Sequence, residues 1–114
     1  MSLRTEQSHF ALDIVKLLVW ATEQGYEFTY GEAQRPVEMQ EIYVRTGRSK
    51  TMNSLHLKKL AKDIFFFKDG KYLATKEEVQ LLGNHWESMC AANEWGGNWD
   101  SFKDVPHFQR NPQN

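Results

Sequence analysis

Ser54-Leu55-His56-Leu57-Lys58-Lys59-Leu60-Ala61-Lys62-Asp63-Ile64-Phe65-Phe66-Phe67 decides how this chain is read. From Asp63 to Phe67 a continuous apolar run follows a single carboxylate, the pattern of a central strand buried on both faces. His56 and Asp63, seven residues apart, are candidate metal ligands. Fully extended they would stand roughly 23 Å apart, too far to share an ion. The chain must therefore turn between them, with His56 on a loop and Asp63 at the start of the strand. Downstream, Asp104-Val105-Pro106-His107-Phe108 offers a second carboxylate and a second imidazole. A bend at Pro106 would let one of these bind an ion while the other faces the ion's water. Taken alone, a His and an Asp at such a spacing are more often a polar pair than a site.

Asp69-Gly70 behind the apolar run is a hairpin signal, with Lys71-Tyr72-Leu73 as the return strand. Thr75-Lys76-Glu77-Glu78 has the form of a capping box and opens a helix expected to reach about Asn93, with Val79, Leu82, Trp86 and Met89 inward and Gly83 as a weak point. Glu94-Trp95-Gly96-Gly97-Asn98-Trp99 reads as a turn-rich connection, Val105 to Gln109 as a short last strand, and Arg110 to Asn114 as a frayed tail. Upstream of the opening stretch, residues 6–24 have helical periodicity through Phe10, Ile14, Leu17, Leu18 and Ala21, with Val15, Val19 and Trp20 widening the apolar face and Gly25 as the stop. His9 near its start reads as a surface or satisfied residue. Tyr26 to Tyr30 alternates like a strand, and Pro36 opens a further helix carrying Met39, Ile42 and Tyr43 and closing at Gly47.

The chain has 114 residues with 40% apolar and 25% charged content, which fits one domain over residues 1–114. A net charge of -1 gives no protein-wide attraction to polyanions. Six basic residues and no acid between Arg45 and Lys62 form a candidate nucleic-acid patch, but no aromatics interleave them to stack bases, and a solvated segment is the preferred reading. The single cysteine, Cys90, excludes an intramolecular disulfide, and no basic neighbour in sequence activates its thiol. The N-terminus has no secretory signal pattern, so synthesis in the cytoplasm is expected, and Phe10 to Ala21 is too short and too charged to span a bilayer.

Hydrolytic zinc takes three protein ligands and leaves a position for water, and a nearby carboxylate must take that water's proton. His56, Asp63, His107 and Asp104 supply such a set. In order, Ser54-x-His56-x(4)-Ala61-x-Asp63, Trp86-Glu87, Trp95-Gly96-Gly97 and Asp104-x-x-His107-Phe108 resemble the zinc peptidases of bacterial cell-wall peptides. These are the VanY-like D-alanyl-D-alanine carboxypeptidases and dipeptidases and the L-alanyl-D-glutamate endopeptidases used as phage endolysins. Gly31-Glu32-Ala33-Gln34-Arg35, followed by Gln40 and Tyr43, resembles the family's upstream arginine segment. Lys59 stands where many members carry Gly, and Asp at position 104, rather than Glu, is most like the endolysin branch.

The resemblance implies an α+β fold, a small antiparallel sheet with two to three packed helices and a zinc site at the sheet. It implies His56, Asp63 and His107 as Zn2+ ligands and Asp104 as general base. Arg35 would stabilise the oxyanion or hold substrate, with Ser54 and Gln40 as further substrate contacts. The implied substrate is the peptidoglycan stem peptide, cut at the L-alanyl-D-glutamate bond, with D-alanyl-D-alanine carboxypeptidase or dipeptidase activity as the alternative. A monomer acting at the bacterial cell wall in host lysis, without nucleic-acid partner or membrane insertion, completes the expectation. From a different class, the alternative is a small nucleic-acid-binding module using residues 45–62.

Overall fold

In the computed structural model, which describes residues 1–31 and 55–113, the Ile64–Phe67 run lies in the strand that pairs with three of the other four strands of the sheet. Strand β2 (Ala61–Lys68) pairs antiparallel with β1 (Glu27–Tyr30), in a register that sets Tyr30 opposite Ile64 and Glu27 opposite Phe67. The first half of β2 pairs with the last strand, β5 (His107–Arg110), so that Asp63 faces His107 and Ala61 faces Gln109. Its far end pairs with the two-residue return strand β3 (Lys71–Tyr72). Asp69 and Gly70 between them have φ of 53° and 77°, the left-handed pair that a two-residue type I′ hairpin requires. A fifth strand, β4 (Asn93–Trp95), adds to the outer edge of β5 and gives the order β1-β2-β5-β4.

Two helices among the described residues complete an α+β architecture: α1 (Leu3–Glu23) and α2 (Lys76–Met89). The Ser2 hydroxyl caps α1, and Thr75 and Glu78 cap α2 with the reciprocal box that the sequence predicts. Phe10, Ile14, Leu17, Leu18 and Ala21 of α1 are buried against Val79, Leu82 and Trp86 of α2 and against Ile64, Phe66 and Phe108 of the sheet. Aromatic edges fill this space. Phe10 meets Trp86 edge-on at 5.7 Å, Trp86 meets Phe108 at 6.0 Å, and Phe108 meets Phe66 at 5.9 Å between ring centroids. The buried Trp86 indole donates to the Gln109 carbonyl at 3.1 Å, which ties α2 to the sheet it packs on.

Several expectations need correction. Val15 and Val19 are 56% and 55% exposed, because the helix turns only one stripe inward. Trp20 is half-buried at the edge of the core and stacks on His85 with ring centroids 4.0 Å apart. Strand β2 begins two residues before Asp63 and alternates: Ile64 and Phe66 are buried, while Phe65 and Phe67 are half-buried against Tyr72. Helix α2 stops at Met89, where Cys90 turns extended, and the segment read as connection begins with β4. Gly83 is no weak point. A Cβ there would sit 2.1 Å from the Trp95 ring, so its absence is what lets α2 lie on β4. The tail is not frayed at Arg110, which is buried and paired with the buried Glu6. The helix expected after Pro36 lies outside the described residues.

Candidate metal centre

His56 sits in a 3-10 turn (Leu55–Lys58) just ahead of β2. The turn solves the spacing problem: seven residues that would span far too much as a strand fold back, and Lys59 takes a φ of 58° to make the corner. Asp63 stands on β2 directly opposite His107 on β5. That register brings two residues from opposite ends of the motif side by side. Pro106 precedes the strand, its carbonyl accepts from the Ile64 N–H at 2.9 Å, and the His107 N–H closes a turn on the Asp104 carbonyl at 3.1 Å.

The three side chains converge. Asp63 Oδ1 lies 3.4 Å from His56 Nε2 and 3.5 Å from His107 Nδ1. One donor atom from each residue falls within 4.8 Å of the other two. Zinc bonds of about 2.0–2.2 Å in tetrahedral arrangement put neighbouring ligand atoms about 3.3–3.5 Å apart, so these separations suit the ion. Asp63 Oδ1 is also buried without a hydrogen bond. A shared cation would satisfy a buried carboxylate oxygen held between two imidazole nitrogens. An oxygen and two imidazole nitrogens are a donor set that zinc accepts.

The protein's own charges already favour an ionised Asp63. Burial works against the carboxylate, but the imidazoles of His107 and His56 outweigh it and hold the carboxyl far below the usual range. For His107, burial disfavours the imidazolium, yet Asp63, Gln109 and Asp104 push it above the ordinary histidine value. Asp104 is the outlying member. Its Oδ2 lies 3.9 Å from His107 Nδ1, and the side chain is 44% exposed, on the solvent side of the cluster.

The Trp95-Gly96-Gly97 segment is the mould for the turn that carries Asp104. The Trp95 indole donates to the Val105 carbonyl at 2.7 Å, and the Gly96 carbonyl accepts from the Asp104 N–H at 3.1 Å. A Cβ on Gly96 would come 2.3 Å from the Asp104 carbonyl oxygen. Glu87 of α2 holds the mould in turn, accepting from the Trp95 N–H and from Asn98 Nδ2, each at 3.0 Å.

Of the residues singled out in the sequence, His56, Asp63 and His107 meet and Asp104 borders them. Arg35, Gln40 and Ser54 lie outside the described residues, as does most of the basic segment. Lys62, which is described, lays its ammonium 3.7 Å from the centre of the Tyr30 ring. Sequence reasoning passed over Gln109, Asn111, Glu94 and Trp99. His107 Nε2 bonds Gln109 Oε1 at 2.7 Å, Gln109 Nε2 donates to Asn111 Oδ1 at 2.8 Å, and Asn111 Nδ2 donates to Glu94 Oε2 at 2.8 Å. The Trp99 indole donates to the other Glu94 oxygen, and its ring lies 5.0 Å from that of His107. The two-residue step from His107 to Gln109 to Asn111 was the available signal, since it puts all three on one face of an extended chain.

A family profile described as D-alanyl-D-alanine carboxypeptidase matches residues 47–110. The L-alanyl-D-glutamate peptidase of Listeria phage A118 is 35% identical over 101 residues, covering 84% of this chain, which spans only 34% of that protein. The crystal structure of the Serratia marcescens L-Ala D-Glu endopeptidase ChiX superposes with a TM-score of 0.70 at 29% identity, over 86% of this chain and 77% of that one. With a profile match over more than half its length, covering all three candidate ligands and Asp104, the chain belongs to the D-alanyl-D-alanine carboxypeptidase family.

Proposed function

We propose that residues 1–114 form one catalytic domain, a zinc metallopeptidase that hydrolyses peptidoglycan stem peptides at the L-alanyl-D-glutamate bond, acting as an endolysin at the bacterial cell wall. The observation that carries the reading is the spacing of the His56, Asp63 and His107 donor atoms at ligand-to-ligand distances, with the half-exposed Asp104 carboxylate beside them. The choice of bond follows the printed names of the phage and Serratia relatives. Monomeric action and the absence of a nucleic-acid partner belong to the same proposal. Among the described residues no helix is long and apolar enough to cross a membrane.

His56 Nε2, Asp63 Oδ1 and His107 Nδ1 would hold the ion, which when bound polarises the scissile carbonyl and acidifies water. Asp104 takes the proton from the attacking water and returns it to the leaving amine nitrogen, so one carboxylate serves as base and then acid. Its position on the solvent side, next to the ligands but not among them, suits that work. Arg35 supplies donors to the developing oxyanion, for which a guanidinium's fixed geometry is fitted. Ser54 and Gln40 hold the substrate backbone.

The test is mass spectrometry of fragments released from purified peptidoglycan, with zinc content measured on the same preparation. New amino-terminal D-glutamate together with bound zinc is the expected result. Release of free D-alanine alone would favour the carboxypeptidase reading, which the family description supports. No fragment from a zinc-loaded chain would overturn the proposal.

A further inference from the structure

The chain Glu94–Asn111–Gln109–His107 has a direction, and its direction has a chemical consequence. As a carboxylate, Glu94 accepts on both oxygens and donates nothing. One oxygen takes the Trp99 indole N–H, and the other takes Asn111 Nδ2 at 2.8 Å. Asn111 therefore turns its carbonyl toward Gln109, whose Nε2 donates to it at 2.8 Å. Gln109 in turn presents Oε1 to His107 Nε2 at 2.7 Å. An amide oxygen accepts only, so His107 must carry its proton on Nε2. In the neutral ring, Nδ1, the nitrogen that faces Asp63 at 3.5 Å, is then the one with the lone pair.

We infer that Glu94 is a positioning residue that selects the metal-binding tautomer of His107 through two intervening amides. Glu94 never touches the site. It fixes which way Asn111 points, Asn111 fixes Gln109, and Gln109 fixes the proton on His107. Carboxylates commonly orient metal-bound histidines directly. Here two side-chain amides carry the orientation from β4 across to β5, whose register sets Glu94 opposite Gln109. Trp99 closes the ring, holding Glu94 through its N–H and lying against the His107 imidazole.

Reversing the chain gives a distinctive test. Glu94→Gln keeps the shape but leaves one acceptor. If that oxygen serves Trp99, the new amide N–H faces Asn111. Both downstream amides then flip, an N–H donor meets His107 Nε2, and the proton moves to Nδ1, where it blocks the ion. Adding Gln109→Glu restores an acceptor at His107 and satisfies every other bond in the reversed chain. The inference rests on the zinc reading above, and the native chain's own zinc affinity tests that reading separately.

Zinc dissociation constants are measured on the full chain by competition with a chromophoric chelator, with circular dichroism as the check on folding. Glu94→Gln is expected to weaken zinc about 10–100-fold, and the Glu94→Gln/Gln109→Glu pair to return it to within about threefold of native. A merely structural role for Glu94 predicts no such rescue. Native affinity in the single variant, or a pair as weak as the single, overturns the inference. If the native chain binds no zinc, the tautomer is read directly by two-bond nitrogen–proton correlation with His107 neutral. A proton on Nε2 in native and on Nδ1 in Glu94→Gln upholds the inference, and the same tautomer in both overturns it.

Discussion

Asp104 carries its carboxylate 3.9 Å from His107 Nδ1, the nitrogen that faces Asp63 in the candidate metal site, on a turn held by the Gly96 carbonyl and the Trp95 indole. The turn itself is held by backbone and indole bonds, which a change confined to the Asp104 carboxylate leaves in place. Asp104→Asn keeps the volume and loses the ability to take a proton. Turnover on purified peptidoglycan is expected to fall about 10²–10⁴-fold, the usual worth of a general base. Zinc affinity should stay near native and circular dichroism unchanged, because Asp104 is not among the three clustered donors. A variant that turns over normally would remove Asp104 from the mechanism. These four residues stood out in the sequence because, in order with Trp86-Glu87 and Trp95-Gly96-Gly97, they match a family pattern; the His–Asp spacing alone reads as a polar pair. Gln109, Asn111 and Glu94 were not, because amides and acids occur on any surface. Their meaning comes from the β4–β5 register, which pairs Glu94 with Gln109.

Elements were readable where the signal is local. The Asp69-Gly70 hairpin and the Thr75–Glu78 capping box each specify their structure within four residues, and both form as expected. Thr75 Oγ1 accepts from the Glu78 N–H at 3.2 Å, and Glu78 Oε1 accepts from the Thr75 N–H at 3.2 Å. Those bonds, above all the one from the Thr75 backbone, also hold the Glu78 carboxyl below its usual range. Thr75→Ala breaks one half of the exchange and is expected to cost about 1 kcal/mol of stability, measured by urea denaturation. A loss near zero would mean that α2 is fixed by packing alone. Elements defined by partners were harder. Strand β4 holds only Asn93 to Trp95 and exists because β5 lies beside it. The width of α1's buried stripe depends on where α2 sits, which periodicity does not reveal. Phe65 and Phe67 are half-buried although their sequence reads like that of Phe66.

At the scale of the whole chain, the least legible feature is the one that joins its ends. Glu6 on the first helix and Arg110 at the close of the last strand are 104 residues apart, and Arg110 Nε donates to Glu6 Oε1 at 2.8 Å. Both are buried, at 2% and 4% exposure, and the Gln113 N–H donates to the second Glu6 oxygen. Arg110 also reaches Cys90 Sγ at 3.3 Å, so the three meet beneath the end of α2. No spacing rule links residues so distant, and a terminal arginine among polar residues reads as tail. The pair ties α1 to the strand that carries His107. The Gln113 backbone bond, against the opposing effect of burial and aided by Arg110, lowers the Glu6 pKa. The unfolded chain then binds more protons than the folded one once pH drops toward the ordinary glutamate value, about 4.3, and stability falls as pH falls through that interval. Glu6→Gln leaves Arg110 without its charge partner at neutral pH and has no proton to gain in acid. The variant is therefore expected to melt below native near neutrality, with the gap narrowing as pH drops from about 5 toward the lowered pKa. Thermal melts of both chains across that range check this. A gap that stays constant with pH would show that the pair contributes packing but no charge.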